Sequence, residues 1–341
     1  MKGVLLINLG SPDSPTKKDV KTYLDEFLMD ERVLDVAYWK RYVLVKGIIL
    51  NTRPKKSAAA YQKIWWDEGS PLVVLSERFQ EKLQNKLDVP VALGMRYGSM
   101  SIEKALEELS QKGVSDVYVL PLYPHYAMSS YETVVVKTEE LVAEKFPEMN
   151  LNIQSVFYKD PNYIKVLAKS ISDIYSPEEF DHLLFSYHGI PERHIYKTDP
   201  TKKHCQIDGK CCNASMPEAQ DRCYRHQCLE TTKLVAAELG LEEGKYSNSF
   251  QSRLLRDPWL KPYTDFELEK FAKDDSKKKL AVVTPAFVSD CLETLEEIAM
   301  EGKEEFLEAG GDKFEHIPCI NTREDWVDLV ANWVQDWQKT A

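Results

Sequence analysis

Leu183-Leu184-Phe185-Ser186-Tyr187-His188-Gly189-Ile190-Pro191 reads as a strand that stops abruptly. An apolar run carries a histidine to the strand's C-terminal end, and a Gly-Ile-Pro turn follows at once. Ligands of open α/β sheets bind outside the carboxyl ends of their strands. His188 is therefore placed where an imidazole can take up or release protons near neutral pH. A structural histidine at a strand end fits the same residues, and the local sequence does not choose. A second phrase, Leu5-Leu6-Ile7-Asn8-Leu9-Gly10-Ser11-Pro12, repeats the pattern of strand and then Gly-x-Pro, one residue shorter. A period of about half the chain predicts two similar α/β halves facing a cleft. Strand-like runs at 4–8, 91–93, 117–120, 183–186 and 280–284 alternate with amphipathic stretches, which predicts parallel sheets with crossover helices.

Glu293, Glu297 and Glu301 recur every four residues, a spacing that a helix stacks on one face. No Lys or Arg occurs between Asp290 and Glu301 to soften the repulsion. A carboxylate ladder near a histidine suits a hydrated divalent cation, whose waters oxygen ligands can replace one at a time. An exposed acidic helix face is the other reading of the run.

At 341 residues the chain can bury a sizeable core in each of two domains. With 43% apolar and 29% charged residues it reads as globular. A net charge of −11 and a pI near 5.3 argue against a nucleic-acid partner, which needs a basic face. Gly10-Ser11-Pro12 lacks the Gly-x-Gly-x-x-Gly spacing, and no Gly-Lys-Ser/Thr follows a glycine-rich loop, so no nucleotide cofactor is expected. Met1-Lys2 leads straight into the first strand without room for a leader, and no run reaches about 18 apolar residues. The expected location is cytoplasmic. Residues 37–50 mix aromatic, aliphatic and basic side chains in the manner of an interfacial segment, or of an amphipathic core helix. Near the end, Thr322 is expected to cap a helix whose Trp326, Leu329, Val330, Trp333, Val334 and Trp337 share a core-facing stripe.

Five of the seven cysteines fall between positions 205 and 228, in polar, turn-rich sequence that needs an internal staple. In a cytoplasmic chain such a group points to a metal or cluster rather than to disulfides. Zinc usually leaves Cys-x-x-Cys, which is absent. Four thiolates at irregular spacings can hold a [2Fe–2S] cluster. Adjacent cysteines rarely both reach one cluster, so Cys205, Cys212, Cys223 and Cys228 are the expected ligands with Cys211 in reserve; zinc or free thiols are the alternatives. Cys291 and Cys319 read as buried, apolar-like residues.

The chain resembles ferrochelatase along nearly its whole length. The likeness is carried in order by residues 3–12, Gly69-Ser70-Pro71-Leu72, Gly94-Met95-Arg96-Tyr97-Gly98, Leu120-Pro121-Leu122-Tyr123-Pro124-His125-Tyr126, residues 186–191, Phe250-Gln251-Ser252-Arg253, Pro258-Trp259-Leu260 and Leu292-Glu293-Thr294-Leu295-Glu296-Glu297. The resemblance implies insertion of Fe2+ into protoporphyrin IX to form protohaem, in a chelatase-like α/β fold. That fold has two similar doubly wound halves, each with a four-stranded parallel sheet flanked by helices. The implied organisation is a first half over residues 1–160 with a pocket lip, a second over 161–320 carrying the cysteine-rich insertion near 198–228, and a helix over 321–341 that packs back on the first half.

By the same resemblance His188 and Glu293 are catalytic and face the iron, and Glu297 with Glu301 forms the path for iron delivery or proton departure. Arg96, Tyr123, Leu9 and Trp259 bind the macrocycle, with Asn8, Gln251 and Arg253 as weaker candidates. Some microbial ferrochelatases carry a [2Fe–2S] cluster on cysteines of this insertion, and some members touch a membrane through the lip, here at the inner membrane face. A homodimer is a further implied partner state. Two other enzymes are the alternatives, a cobalt or nickel chelatase for a related tetrapyrrole and a coproporphyrin ferrochelatase, and the motifs do not choose between protoporphyrin and coproporphyrin. A porphyrin or haem carrier, or an iron–sulfur sensor, is the reading without catalysis.

Overall fold

The computed structural model describes residues 1–254 and 257–340; Ala341, at the end of the expected terminal segment, lies outside them. Two compact units are formed, one by residues 1–122, 128–155 and 321–341, the other by 123–127 and 156–320.

In the first unit the apolar run of β1 (Lys2–Asn8) is buried from its second residue onward. It lies between β2 (Val91–Met95) and β3 (Asp116–Pro121), both parallel to it, with Asn8 opposite Met95 and Ile7 opposite Pro121. The edge strand β4 (Asn150–Ile153) completes the order β2-β1-β3-β4. Beyond β1, Gly10 takes φ +105°, and a Cβ there would lie 2.1 Å from the carbonyl oxygen of Tyr97. Only glycine lets the turn pass that close.

The second unit repeats the plan. Strand β5 (His182–His188) lies between β6 (Tyr246–Gln251) and β7 (Lys279–Val283), and β8 (Lys313–Ile317) is the far edge, giving β6-β5-β7-β8 with every pair parallel. The two sheets thus have one order, offset by four strands, and the two Gly-x-Pro phrases end corresponding strands. Leu184, Leu280, Val282 and Phe314 pack with Leu268, Phe271, Ile298 and Phe306 into a core beneath the second sheet. Because β6 and β7 flank β5 on opposite sides, the end of β5 is a topological switch point, where such sheets open a crevice.

The terminal helix, Glu324–Lys339, joins the first unit through Trp326, which is fully buried and stacked on Phe79 at 5.7 Å. Leu329, Val330 and Val334 continue the buried stripe, while Trp333 and Trp337 are partly exposed. The helix starts differently from the expectation. Arg323 occupies the cap position without a side-chain cap bond, and Asp325 instead receives the Arg323 guanidinium and the amide of Trp326. Thr322 lies one residue too early to cap.

Candidate active site

Strand β5 ends with His188 opposite Gln251, the last residue of β6. The amide of Gly189 donates to the Gln251 carbonyl at 2.7 Å. A Cβ on Gly189 would come within 2.9 Å of that oxygen and 3.3 Å of the Trp259 ring, so glycine is what allows the chain to turn here. Trp259 is buried against this turn and donates its indole N–H to the Leu254 carbonyl at 2.9 Å.

The Nδ1 atom of His188 lies 2.6 Å from the carbonyl oxygen of Gly189. A carbonyl can only accept, so Nδ1 carries the hydrogen and the neutral ring keeps its lone pair on Nε2. Burial lowers the pKa of His188 below its ordinary value, with the nearby Glu293 charge and the Gly189 bond pulling the other way. At pH 7 the ring is therefore a neutral base. Its strand end is held by Tyr224, whose hydroxyl donates to the His188 carbonyl at 2.8 Å. Gln251 ties three elements together. Its Oε1 accepts from Ser186 on β5 at 2.7 Å, and its Nε2 donates to the Glu293 carbonyl at 2.8 Å, at the start of the helix Leu292–Leu295.

The acidic ladder is not a uniform α-helix. After Leu292–Leu295 the chain widens into a π-helix, Glu297–Gly302, marked by the Glu301 amide bonding to the Glu296 carbonyl, and then returns to an α-helix at Lys303–Glu308. Four residues of α-helix overshoot one turn by about 40°. The wider π turn winds less per residue and keeps the carboxylates in line. Glu297, Glu301 and Glu305 accordingly line one cavity of about 240 Å³, together with Ser252, Arg253 and Asp265.

Burial is the main cause that lifts the Glu297 carboxyl from its ordinary 4.5 to about 7, and the charges of Glu293 and Glu301 push the same way. Ser252 opposes them. Its amide donates to Glu297 Oε1 at 2.8 Å and its hydroxyl to Oε2. To aim both donors Ser252 adopts φ +62°, a left-handed conformation that costs a non-glycine residue on the order of 1 kcal/mol. Arg253 pairs with Asp265 and stacks over the Tyr263 ring at 4.2 Å.

His188, Glu293, Glu297, Glu301, Gln251 and Trp259 thus share one edge of the second unit's sheet. Tyr123 opens the short buried segment 123–127 of that unit. Leu9 and Arg96 belong to the first unit. Leu9, half-buried beyond β1, donates its amide to Asn8 Oδ1 at 2.8 Å. Arg96 bonds Asp30 at 2.6 Å through Nη2 and Thr133 at 2.8 Å through Nε, while Tyr97 donates to the same carboxylate.

In the insertion, Asp199 organises the loop by accepting the amides of Thr201, His204 and Cys205. Burial alone would raise its pKa, but these bonds bring it down to about 2. Cys205, Cys223 and Cys228 are buried and Cys212 is partly so. Cys212 hydrogen-bonds Cys223, the main cause that raises the Cys212 pKa, and Cys223 in turn bonds Cys205, which brings Cys223 to about 11. Burial raises Cys228, and the neighbouring Cys223 and Cys212 add to it. Cys211 points elsewhere, taking the Gln206 amide at 3.1 Å. Among the described residues no three His, Cys, Asp or Glu side chains are gathered closely enough to hold one metal ion. Ser252 and Tyr224 are the working side chains that sequence reasoning missed. Ser252 stood inside a motif without a role, and Tyr224 was signalled only by its place beside Cys223.

A family model described as Ferrochelatase matches residues 1–337. The chain is 49% identical to a ferrochelatase of Opitutus terrae over 100% of this chain and 99% of that one. It is 46% identical to ferrochelatases of Azotobacter vinelandii, over 96% of each chain, and of Stutzerimonas stutzeri, over 97% and 96%. Among solved structures, SirB from Bacillus subtilis with Fe3+ superposes with a TM-score of 0.56 at 12% identity, covering 98% of this chain and 94% of that one. At that identity the likeness concerns the fold, two doubly wound halves of chelatase type.

Proposed function

The chain belongs to the ferrochelatase family, enzymes that insert ferrous iron into a porphyrin to make haem, and from that premise we propose how its residues perform the insertion. Fe2+ replaces two N–H protons, so the site must accept two protons while the cation sheds its water. His188 takes the first at Nε2 and, once it has passed that proton to the neighbouring carboxylates, takes the second in the same way. The hydrogen bond that fixes Nδ1–H on Gly189 carries this reading, because it leaves the other nitrogen unprotonated and aimed by a rigid strand end. Glu293 faces the iron with it and steadies the imidazolium that forms. Glu297 and Glu301 lead away from the pair, and a carboxyl that titrates near 7 suits proton departure better than permanent cation binding.

Protoporphyrin IX is the proposed ring; in the second unit Trp259 is proposed to offer it an apolar surface and Tyr123 to orient it, and in the first unit the same two tasks are proposed for Leu9 and Arg96. Arg96 uses two of its five donors on Asp30 and Thr133, which leaves three for an anionic substituent. Anaerobic incubation with Fe2+ and either protoporphyrin or coproporphyrin, followed at the Soret band, tests the assignment. Turnover with coproporphyrin alone would reassign the substrate, and no change with either ring would remove the activity. His188→Ala is expected to abolish insertion while the ring still binds; near-normal turnover would take His188 out of the reaction.

The thiols of the insertion fit a [2Fe–2S] cluster in their donor chemistry. A two-iron core asks for a pair of thiolates at each iron rather than three ligands on one ion; Cys205, Cys212, Cys223 and Cys228 are free thiols, and members of the set raise the pKa values of Cys212 and Cys223, as burial and then Cys223 and Cys212 do for Cys228, while Cys211 is engaged by the loop. When bound, such a cluster supplies a one-electron centre and a covalent staple. The purified protein is expected to be red-brown, and Ser in place of any of the four should bleach it while Cys211→Ser does not. A colourless protein with stoichiometric zinc would overturn the cluster and leave the enzyme intact. The chain is further proposed to work in the cytoplasm as a homodimer. Among the described residues no helix is long and apolar enough to cross a membrane.

A further inference from the structure

The end of β6 holds both the histidine turn and the acidic segment, and it does so with two consecutive residues. Gln251 lies opposite His188, and its carbonyl takes the amide of Gly189 at 2.7 Å. Its side chain serves the acidic segment, donating from Nε2 to the Glu293 carbonyl at 2.8 Å. Ser252, the next residue, binds the Glu297 carboxylate through its amide and its hydroxyl. Successive side chains of an extended strand face opposite ways, and the left-handed turn at Ser252, φ +62°, is what lets both residues reach one segment.

The Gln251 amide can be turned only one way. A carbonyl accepts and never donates, so the nitrogen must face Glu293 and Oε1 must face Ser186, which donates to it at 2.7 Å. With its one proton committed, Ser186 can only accept across the 2.8 Å contact with Thr264, and Thr264, committed in turn, accepts from Ser249 at 2.8 Å. The donors thus point in one sense, from Ser249 through Thr264, Ser186 and Gln251 to Glu293. Aligned bonds of this kind strengthen one another in a buried setting. None of the four side chains belongs to a residue more than 3% exposed, which leaves Gln251 almost no surface to offer a macrocycle.

We propose that Gln251 is a positioning residue for metal insertion: its backbone holds the strand end that carries His188, its side chain holds the helix start that carries Glu293, and the length of one glutamine sets the spacing of the two. This rests on the reading of His188 and Glu293 as partners in proton removal. Without the amide donor the turn that carries Glu293 is free to shift, and a misplacement of about 1 Å can cost on the order of a hundredfold in rate.

Gln251→Met keeps the length of the side chain and removes both polar atoms. In the full-length protein, kcat for Fe2+ insertion is expected to fall roughly ten- to a hundredfold. The Kd for metal-free protoporphyrin, read from quenching of protein fluorescence, should stay within about twofold. Gln251→Glu separates the hydrogen bond from the shape. A protonated carboxyl has one donor and one acceptor and can replace the amide, whereas an ionised one only accepts and leaves the Glu293 carbonyl without its donor. The ratio of its kcat to that of the wild type is therefore expected to be near unity in acid and to fall as pH rises from about 6 to about 9, the span over which a buried carboxyl ionises. Taking the ratio at each pH cancels the titrations of His188, Glu293, Glu297 and Glu301, which both proteins share. The ratio for Gln251→Met should be low and flat. A wild-type kcat in Gln251→Met overturns the proposal, and weakened porphyrin binding beside it would place the amide on the macrocycle instead. A Gln251→Glu ratio that does not change with pH overturns it too, because only the protonation of that carboxyl makes or breaks the bond. If Gln251→Met fails to fold, Gln251→Glu decides alone by the same ratio. Normal turnover in Glu293→Gln removes the reading on which the inference rests, whatever Gln251 does, and a wild type that inserts no iron removes the activity before any variant is compared.

Discussion

Glu297 shows how one carboxyl can be set near neutrality by opposing causes. Burial and its acidic neighbours raise it to about 7, and the two donors of Ser252 hold it from going higher. In the unfolded chain it titrates at its ordinary 4.5. Between these values the folded protein binds more protons than the unfolded one, so its stability falls as pH rises from about 4.5 to about 7. Glu297→Gln cannot titrate. Urea unfolding at pH 5 and pH 8 is expected to show a fall in wild-type stability, on the order of 2–3 kcal/mol, that the variant lacks. Ser252→Ala removes a donor to the charged form and must move the same carboxyl upward, so a limb of the turnover–pH profile belonging to Glu297 should shift to higher pH. An unmoved limb would detach Glu297 from the proton path. His188 and the glutamates were legible in the sequence because each stands in a recognisable run. Ser252 was not, and Gln251 was legible only as a weaker candidate for the macrocycle, since their work depends on which strands become neighbours: Gln251 bridges Ser186 and Glu293, positions 65 and 42 residues away.

Among the elements, legibility follows burial. The central strands β1, β3, β5 and β7 are covered on both faces and read as continuous apolar runs. The edges β4, β6 and β8 escaped the reading, because Asn150-Leu151-Asn152-Ile153 is partly exposed throughout and β6 satisfies its polar side chains internally, Ser247 with His182 and Ser249 with Thr264. The acidic segment was read as one α-helix because its spacing of four is shared by α and π turns, and only the Glu301 to Glu296 bond separates them. The terminal helix was found from its tryptophan stripe, though not its start. Trp326 carries that packing. Trp326→Ala deletes a fully buried ring stacked on Phe79 and is expected to cost about 3–5 kcal/mol, read as a lower urea midpoint with an unchanged slope. A loss below 1 kcal/mol would mean that the helix is held by its rim, such as Lys82 and Lys86 on Glu324, rather than by its core face.

For the whole molecule, a net charge of −11 ought to repel anionic surfaces, yet its distribution is uneven. Residues 36–66 hold Lys40, Arg41, Lys46, Arg53, Lys55, Lys56 and Lys63 and no Asp or Glu. In the same stretch the helix Tyr38–Tyr42 and the π-helix Val43–Ile49 expose Tyr38, Trp39, Tyr42, Val43 and Ile48, with Trp39 65% exposed, while Val45 and Ile49 turn inward. Aromatic side chains beside lysines are the composition of an interfacial anchor, and each basic residue near an anionic lipid surface contributes about 1 kcal/mol. Peripheral contact with a membrane is therefore predicted to need both parts. Lys55 and Lys56 are exposed on the helix Leu50–Ile64, so replacing both by Ala should weaken sedimentation with phosphatidylserine vesicles by roughly 2 kcal/mol, about thirtyfold. The same change at Lys17 and Lys18, exposed but outside this stretch, alters net charge equally and should leave binding nearly as it was. Raising salt should weaken the wild type toward the double variant without abolishing what the aromatic residues contribute. If both pairs act alike, total charge governs the contact and residues 36–66 are no anchor; if neither acts and neutral vesicles bind equally well, the exposed aromatics work alone.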